Sequence, residues 1–278
     1  MRHLLPTLSA LLALLHFAHA APLSEISVDL RMSHTEYVQG ERIRGVVNIL
    51  NSSPETIRAG TAGASDRFFI EVYRASSREQ LDRKVKRPFI AAFLLKTGEG
   101  QKFETFLGDH YALHQPSRYL AKPVLVHGGT RYEGVARPFD VVTGVRVARA
   151  MQMFANRKGL SREFELVYWP RTGGENLFIR AQDQGENGRK WVTVDLGKVL
   201  RITPPKISVL KTGEVIVLQR SSRDQFTRSV FWSLPDDLEF QKNELLNDPE
   251  TAGSERMKQV YRESGGVEVK KNPWWKFW

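Results

Sequence analysis

The sequence predicts a mainly β protein: a two-sheet sandwich, then a smaller antiparallel β-meander domain, then a short helical C-terminal tail. Three observations predict it. Apolar and polar residues alternate with a period of two through much of residues 24–235, as in half-buried strands. Breaks such as Arg171-Thr172-Gly173-Gly174 punctuate these runs at short intervals, which joins neighbouring strands by hairpins. After Asp236 the spacing of leucines changes to that of a helix.

Residues 1–20, MRHLLPTLSALLALLHFAHA, read as a signal peptide, with cationic Arg2, an apolar run from Leu4 to Phe17 and Ala18-His19-Ala20 as the cleavage signature. The run is too short to span a bilayer, and no later segment approaches the ~20 apolar residues that a membrane helix needs. The chain has no cysteine, which removes disulfides, thiolate metal sites, thiol nucleophiles and lipid attachment through sulfur. A secreted animal domain of this size usually carries disulfides, so the expectation is an exported protein of a bacterial periplasm or cell surface.

Residues 24–144 give strands near 24–32, 38–50, 67–74, 88–95, 101–107, 118–126 and 131–142. Ile26, Val28, Leu30 and Met32 alternate with Ser27, Asp29 and Arg31, and Phe68, Ile70 and Val72 repeat the pattern. About seven such strands close as two sheets packed face to face. The stretch EYVQGERIRGVVNILNSS resembles the opening of bacterial immunoglobulin-like domains, where a Gly-Glu turn leads into a long strand ending in Asn. In DHYALHQPSRYLAKPVLV, Gln115-Pro116-Ser117-Arg118-Tyr119 stands where those domains have x-Pro-Gly-x-Tyr, with Ser117 in place of the usual glycine. The resemblance implies an immunoglobulin-like β-sandwich over 24–144 and a corner in which the Tyr119 hydroxyl bonds nearby backbone. It implies no catalytic residue, because such sandwiches mostly bind, space or scaffold.

Residues 145–235 form a second run of strands, among them Phe164, Leu166 and Tyr168, then Val192, Val194 and Leu196, then Val215 and Val217. ELVYWPRTGGENLFIRAQ is echoed about fifty residues later by VIVLQRSSRDQFTRSVFW. Two such units cannot close a propeller, so the echo predicts two hairpins of one small sheet. From 236 to 266 short helices are expected: one capped by Asp236-Asp237 and carrying Leu238, Leu245 and Leu246, and one started by Asp248-Pro249. Residues 267–278 are an aromatic and basic tail.

Motifs for chemistry are few. Ser208-Val209-Leu210-Lys211 and Lys211-Thr212-Gly213 match the paired motifs of penicillin-recognising serine enzymes, but they share one lysine on a strand–turn–strand. His34, His110, His114 and His127 lack metal-ligand spacing and read as structural. No phosphate loop, dinucleotide fingerprint or nucleophile elbow occurs, so no catalytic residue, metal ligand or cofactor is expected.

Charge says more. Basic residues number 17 against 14 acidic over 21–144, 16 against 8 over 145–235 and 7 against 9 over 236–278. The second domain therefore holds the excess, and a basic exported domain attracts anionic envelope polymers, membrane surfaces or acidic glycans. Nucleic acid is set aside, since an exported protein seldom meets it. Candidate contacts are Arg157, Lys158, Arg189, Lys190, Arg201, Lys206, Lys211, Arg220 and Arg223. The tail Trp274, Trp275, Lys276, Phe277 and Trp278 is expected to be an exposed anchor for a membrane surface or protein partner, held off by a Gly- and Lys-rich lead. The functional expectation is a non-enzymatic envelope binding, docking or scaffolding module. The alternative is a hydrolase or lyase acting on an envelope polysaccharide in a cleft between the two β domains.

Overall fold

The structure, a computed structural model, describes residues 25–60, 65–154, 160–184, 191–234 and 237–247. Strands dominate them, and their helical element is a single 3-10 turn at Leu107–Asp109. The first ten strands are β1 (Ile26–Met32), β2 (Glu36–Val38), β3 (Arg44–Asn51), β4 (Ile57–Ala59), β5 (Arg67–Arg74), β6 (Phe93–Leu95), β7 (Gly100–Phe106), β8 (Ser117–His127), β9 (Thr130–Glu133) and β10 (Arg137–Val142). One sheet has the order β1-β3-β7, a second β2-β10-β8-β5 with β9 on β8, and β4-β6 form a ribbon. All these pairings are antiparallel except β2 with β10.

The alternation read from the sequence explains the packing. Ile26, Leu30, Val47 and Ile49 of one sheet meet Ile70, Val72, Tyr119 and Phe139 of the other in one apolar cluster. Tyr119 is fully buried, stacks on Phe139 at 5.5 Å, and donates its hydroxyl to the Gln115 carbonyl at 2.8 Å. Full burial of each such aromatic contributes about 1.5–3 kcal/mol. The segment expected as one strand over 38–50 is broken, because Gln39–Ile43 turns away from β2 before β3 begins. The strand expected over 88–95 shortens to β6; ahead of it Phe89 and Ile90 enter the core from irregular backbone.

The remaining strands are β11 (Val145–Met153), β12 (Ser161–Arg171), β13 (Gly174–Gln184), β14 (Trp191–Lys198), β15 (Lys206–Val209), β16 (Glu214–Arg220), β17 (Gln225–Leu234) and β18 (Asp237–Asn247). They form two antiparallel meanders, β11-β12-β13-β14 and β15-β16-β17-β18, around a cluster that includes Phe164, Leu177, Ile179, Val215, Val217 and Phe231. The two echoed hairpins, β12-β13 and β16-β17, therefore lie in two facing sheets rather than in one. Buried Arg162 fastens these sheets together. It binds both oxygens of Asp183 in its own sheet, at 2.5 and 3.0 Å, and donates to the Ser233 hydroxyl and the Leu234 and Asp237 carbonyls of the other.

The helix expected from Asp236 is corrected over 237–247, which is strand β18 paired along β17. A register shift between Val230 and Phe231 supplies the reason. Across that bulge the strand changes face, so Leu238 joins Phe231 in the core while Leu246 packs with Leu218 and Phe226 outside it. The spacing read as helical serves two faces of one sheet. The rest of the expected helices and the aromatic tail, residues 248–278, lie outside the described residues.

Candidate functional site

The two sets of sheets meet where β10 passes into β11, and both glycines at this joint are required. Gly144 has φ +68, and a Cβ there would lie 2.2 Å from Val167 Cγ1; Gly40 has φ +85, and its Cβ would lie 2.7 Å from Thr193 Oγ1. Left-handed backbone and contact at this distance admit glycine alone without strain. An apolar plug of Val38, Val167 and Phe178, with Val142 and Trp169 against it, fills the joint.

A polar layer surrounds the plug. Arg171, at the tip of the β12-β13 hairpin, donates to the Glu36 carbonyl at 2.6 Å and to Glu41 Oε2 at 2.5 Å, and its guanidinium lies 5.1 Å over the Phe178 ring. Arg180 donates to the Thr143 carbonyl at 3.0 Å and to Gln39 Oε1 at 3.3 Å while pairing with Glu165. The Thr193 hydroxyl donates to the Gln39 carbonyl at 2.6 Å, and Trp169 Nε1 donates to Glu36 at 3.3 Å. Burial raises the Glu41 carboxyl above its ordinary range, with Arg171 opposing. For Glu165 burial acts the same way, but the bonds from Arg180 and Arg146 outweigh it and the result is lowered. Spacing alone gave no sign of this joint, where Arg171, Arg180 and Thr193 reach residues 36–41, more than a hundred positions away.

Beside the joint lies an open polar cleft of about 380 Å³, between the β1-β2 loop with His34 and Thr35, the start of β2 at Glu36, and the hairpin tip with Pro170 and Arg171. Burial, then the Arg171 charge, lowers the pKa of His34. His127 is buried elsewhere, its Nδ1 3.0 Å from Asp66 and its Nε2 3.5 Å from Glu55. Among the described residues no group of three or more His, Asp or Glu side chains is placed to hold a metal ion. No helix among them is long and apolar enough to cross a membrane.

The candidate cations distribute as follows. Arg157, Lys158, Arg189 and Lys190 lie outside the described residues, as do Trp274, Trp275, Lys276, Phe277 and Trp278. Arg201, Lys206, Arg220 and Arg223 come to one end of the second set of sheets: Leu200 N–H donates to the Arg220 carbonyl at 2.8 Å, and Lys206 pairs in register with Leu218. Lys198, absent from the sequence-derived set, joins them, its carbonyl accepting from Gln219. Lys211, in the β15-β16 turn, lies at the opposite end. At least three of the four are engaged structurally, Lys206 among them. Arg201 pairs with Glu175 and stacks 4.6 Å over Tyr168, and Arg220 donates to the Arg223 carbonyl and stacks 4.7 Å over Phe226. The raw charge count could not reveal these internal partners.

The class this geometry defines is a mainly β chain of several small antiparallel sheets. No family model matches it, and no curated protein matches it. Its structure is similar to that of Spo0M, a sporulation control protein from Bacillus subtilis, with 12% identity over 87% of this chain and 98% of that one, at a TM-score of 0.30.

Proposed function

We propose that this chain is an exported, non-enzymatic docking protein of a bacterial envelope, with an immunoglobulin-like sandwich in residues 24–144 that positions a basic β domain against an anionic surface or acidic glycan. The observation that carries the reading is the gathering of Lys198, Arg201, Lys206, Arg220 and Arg223 at one end of the second set of sheets. Cations at strand ends and turns of paired sheets suit an anionic surface, since the sheets fix their backbone and little ordering is needed on contact. The hydrogen-bonded corner at Tyr119 supports the immunoglobulin-like assignment, and the joint at Arg171 supports transmission of position from one set of sheets to the other.

The test is co-sedimentation of residues 21–278, which hold every described residue, with vesicles containing phosphatidylglycerol and with polygalacturonate. Binding is expected at ~0.02 M salt and should fall steeply by ~0.15 M, where the Debye length contracts to ~8 Å. Binding indifferent to salt would contradict the reading.

A further inference from the structure

A second cationic group lies in the first set of sheets, where the overall charge is nearly balanced. The sequence Asp82-Arg83-Lys84-Val85-Lys86-Arg87-Pro88 places four cations in five positions, and all four are exposed. The fold holds them in one place. Lys84 N–H donates to the His110 carbonyl at 2.9 Å and its Nζ to the Gly108 carbonyl; Arg83 donates to the Arg87 carbonyl and lies 4.5 Å over the Phe89 ring. From the neighbouring Gln39–Ile43 turn, Arg42 lies 3.8 Å over Phe106. Arg87 and Arg42 both reach Asp109 Oδ2, at 2.9 and 3.8 Å.

Five cations thus stand against two acidic residues, Asp82 of the same loop and Asp109, which Arg42 and Arg87 share, and a bound anion would offset the remaining positive charge. The ring beneath gives a second, independent sign. His110 is 3% exposed, stacks on Phe89 at 4.0 Å, and its Nδ1 has no hydrogen-bond partner among the described residues. Burial, with the charges of Arg83, Arg87 and Lys84, lowers its pKa to about 4. A buried imidazole whose Nδ1 lacks a partner among the described residues, in the field of three cations, marks a place where positive charge is in excess and polar capacity is unused.

We propose that the 82–88 loop, with Arg42 and the Leu107–Asp109 turn, is a binding site for phosphate-bearing anions. Planar guanidinium groups on Arg42, Arg83 and Arg87 match the oxygens of a phosphate pairwise, and Lys84 and Lys86 add point charges at its edge. The site stands apart from the cations of residues 145–235, so either can fail alone. The phosphate is borne by a lipid headgroup or by a free polyphosphate, and two probes separate these sources: phosphatidylglycerol vesicles and sodium tripolyphosphate.

Binding of both probes to residues 21–278 is compared for wild type, Arg83→Gln/Arg87→Gln and the charge-matched Lys96→Gln/Lys102→Gln. The expected result is binding weakened about tenfold or more by the first pair and little changed by the second. Loss confined to tripolyphosphate assigns the free anion; loss confined to vesicles assigns the headgroup. Asp109→Asn, which removes the internal competitor without changing shape, is expected to tighten binding and decides the matter if the arginine pair fails to fold. No binding of either probe by wild type, equal weakening by both pairs, or unchanged binding in Asp109→Asn would overturn the proposal.

Discussion

Replacing Arg171 by methionine removes the cation paired with Glu41 across the joint. The side chain of Glu41 is only 12% exposed and that of Arg171 9%, so water repairs little of the loss. The change deletes a charge-assisted bond to Glu41, a bond to the Glu36 carbonyl and the contact with the Phe178 face. It leaves Glu41 with the Val38 N–H. Breaking one partner from a buried pair costs about 3–5 kcal/mol, and the methionine stem recovers part of the packing, so a loss of about 3 kcal/mol at neutral pH is expected. The pH dependence follows from the carboxylate. Burial already raises the pKa of Glu41, and removing Arg171 raises it further. A folded-state pKa above the unfolded value gives stability that is full below the unfolded pKa and lost as pH rises through the folded one. The deficit of the variant is therefore smaller near pH ~4, where the raised pKa of Glu41 favours its protonated form, and grows toward neutrality. Urea denaturation of wild type and Arg171→Met at both pH values measures it. Glu41→Gln/Arg171→Met should recover most of the neutral-pH loss. An equal deficit at both pH values, or a double variant no more stable than the single, would refute the role assigned to this pair.

Tyr119→Phe should lower stability by about 1 kcal/mol, the net value of one hydrogen bond; an unchanged denaturation midpoint counts against the corner. Gly144→Ala forces a side chain into a left-handed conformation against Val167 and should cost about 2 kcal/mol or more, seen as a lower thermal midpoint, whereas a stabilised variant would show that the joint has room. A chain ending at Lys271 is expected to lose association with envelope membranes while keeping its thermal midpoint. Buried-type tryptophan emission from the tail, with a lower midpoint on truncation, would make the tail part of the core instead.

The β character was legible because a half-buried strand writes its burial into alternate residues, as Ile26, Val28 and Leu30 do. The Tyr119 corner was legible through the resemblance of Gln115–Tyr119 to the x-Pro-Gly-x-Tyr corner, a local motif because both partners lie within five residues. Residues 237–247 were misread because a bulge reverses the facing of β18 midway, giving its leucines a helix-like spacing that only the pairing with β17 resolves. The joint was invisible for a different reason. Glu41 and Arg171 are ordinary surface residue types, and nothing local to either records the other. The basic run at 83–87 could have been found from sequence as a short Lys/Arg-rich segment, but its counter-ion Asp109 and the unpartnered Nδ1 of His110 required the fold.

Hydrogen–deuterium exchange of residues 21–278, free and bound to phosphatidylglycerol vesicles, locates the contact surface directly. Docking through the basic end of the second set of sheets is expected to slow exchange over 198–201 and 220–225 on binding, with the strands of the joint unchanged. Unchanged exchange in both segments of the vesicle-bound protein would contradict it.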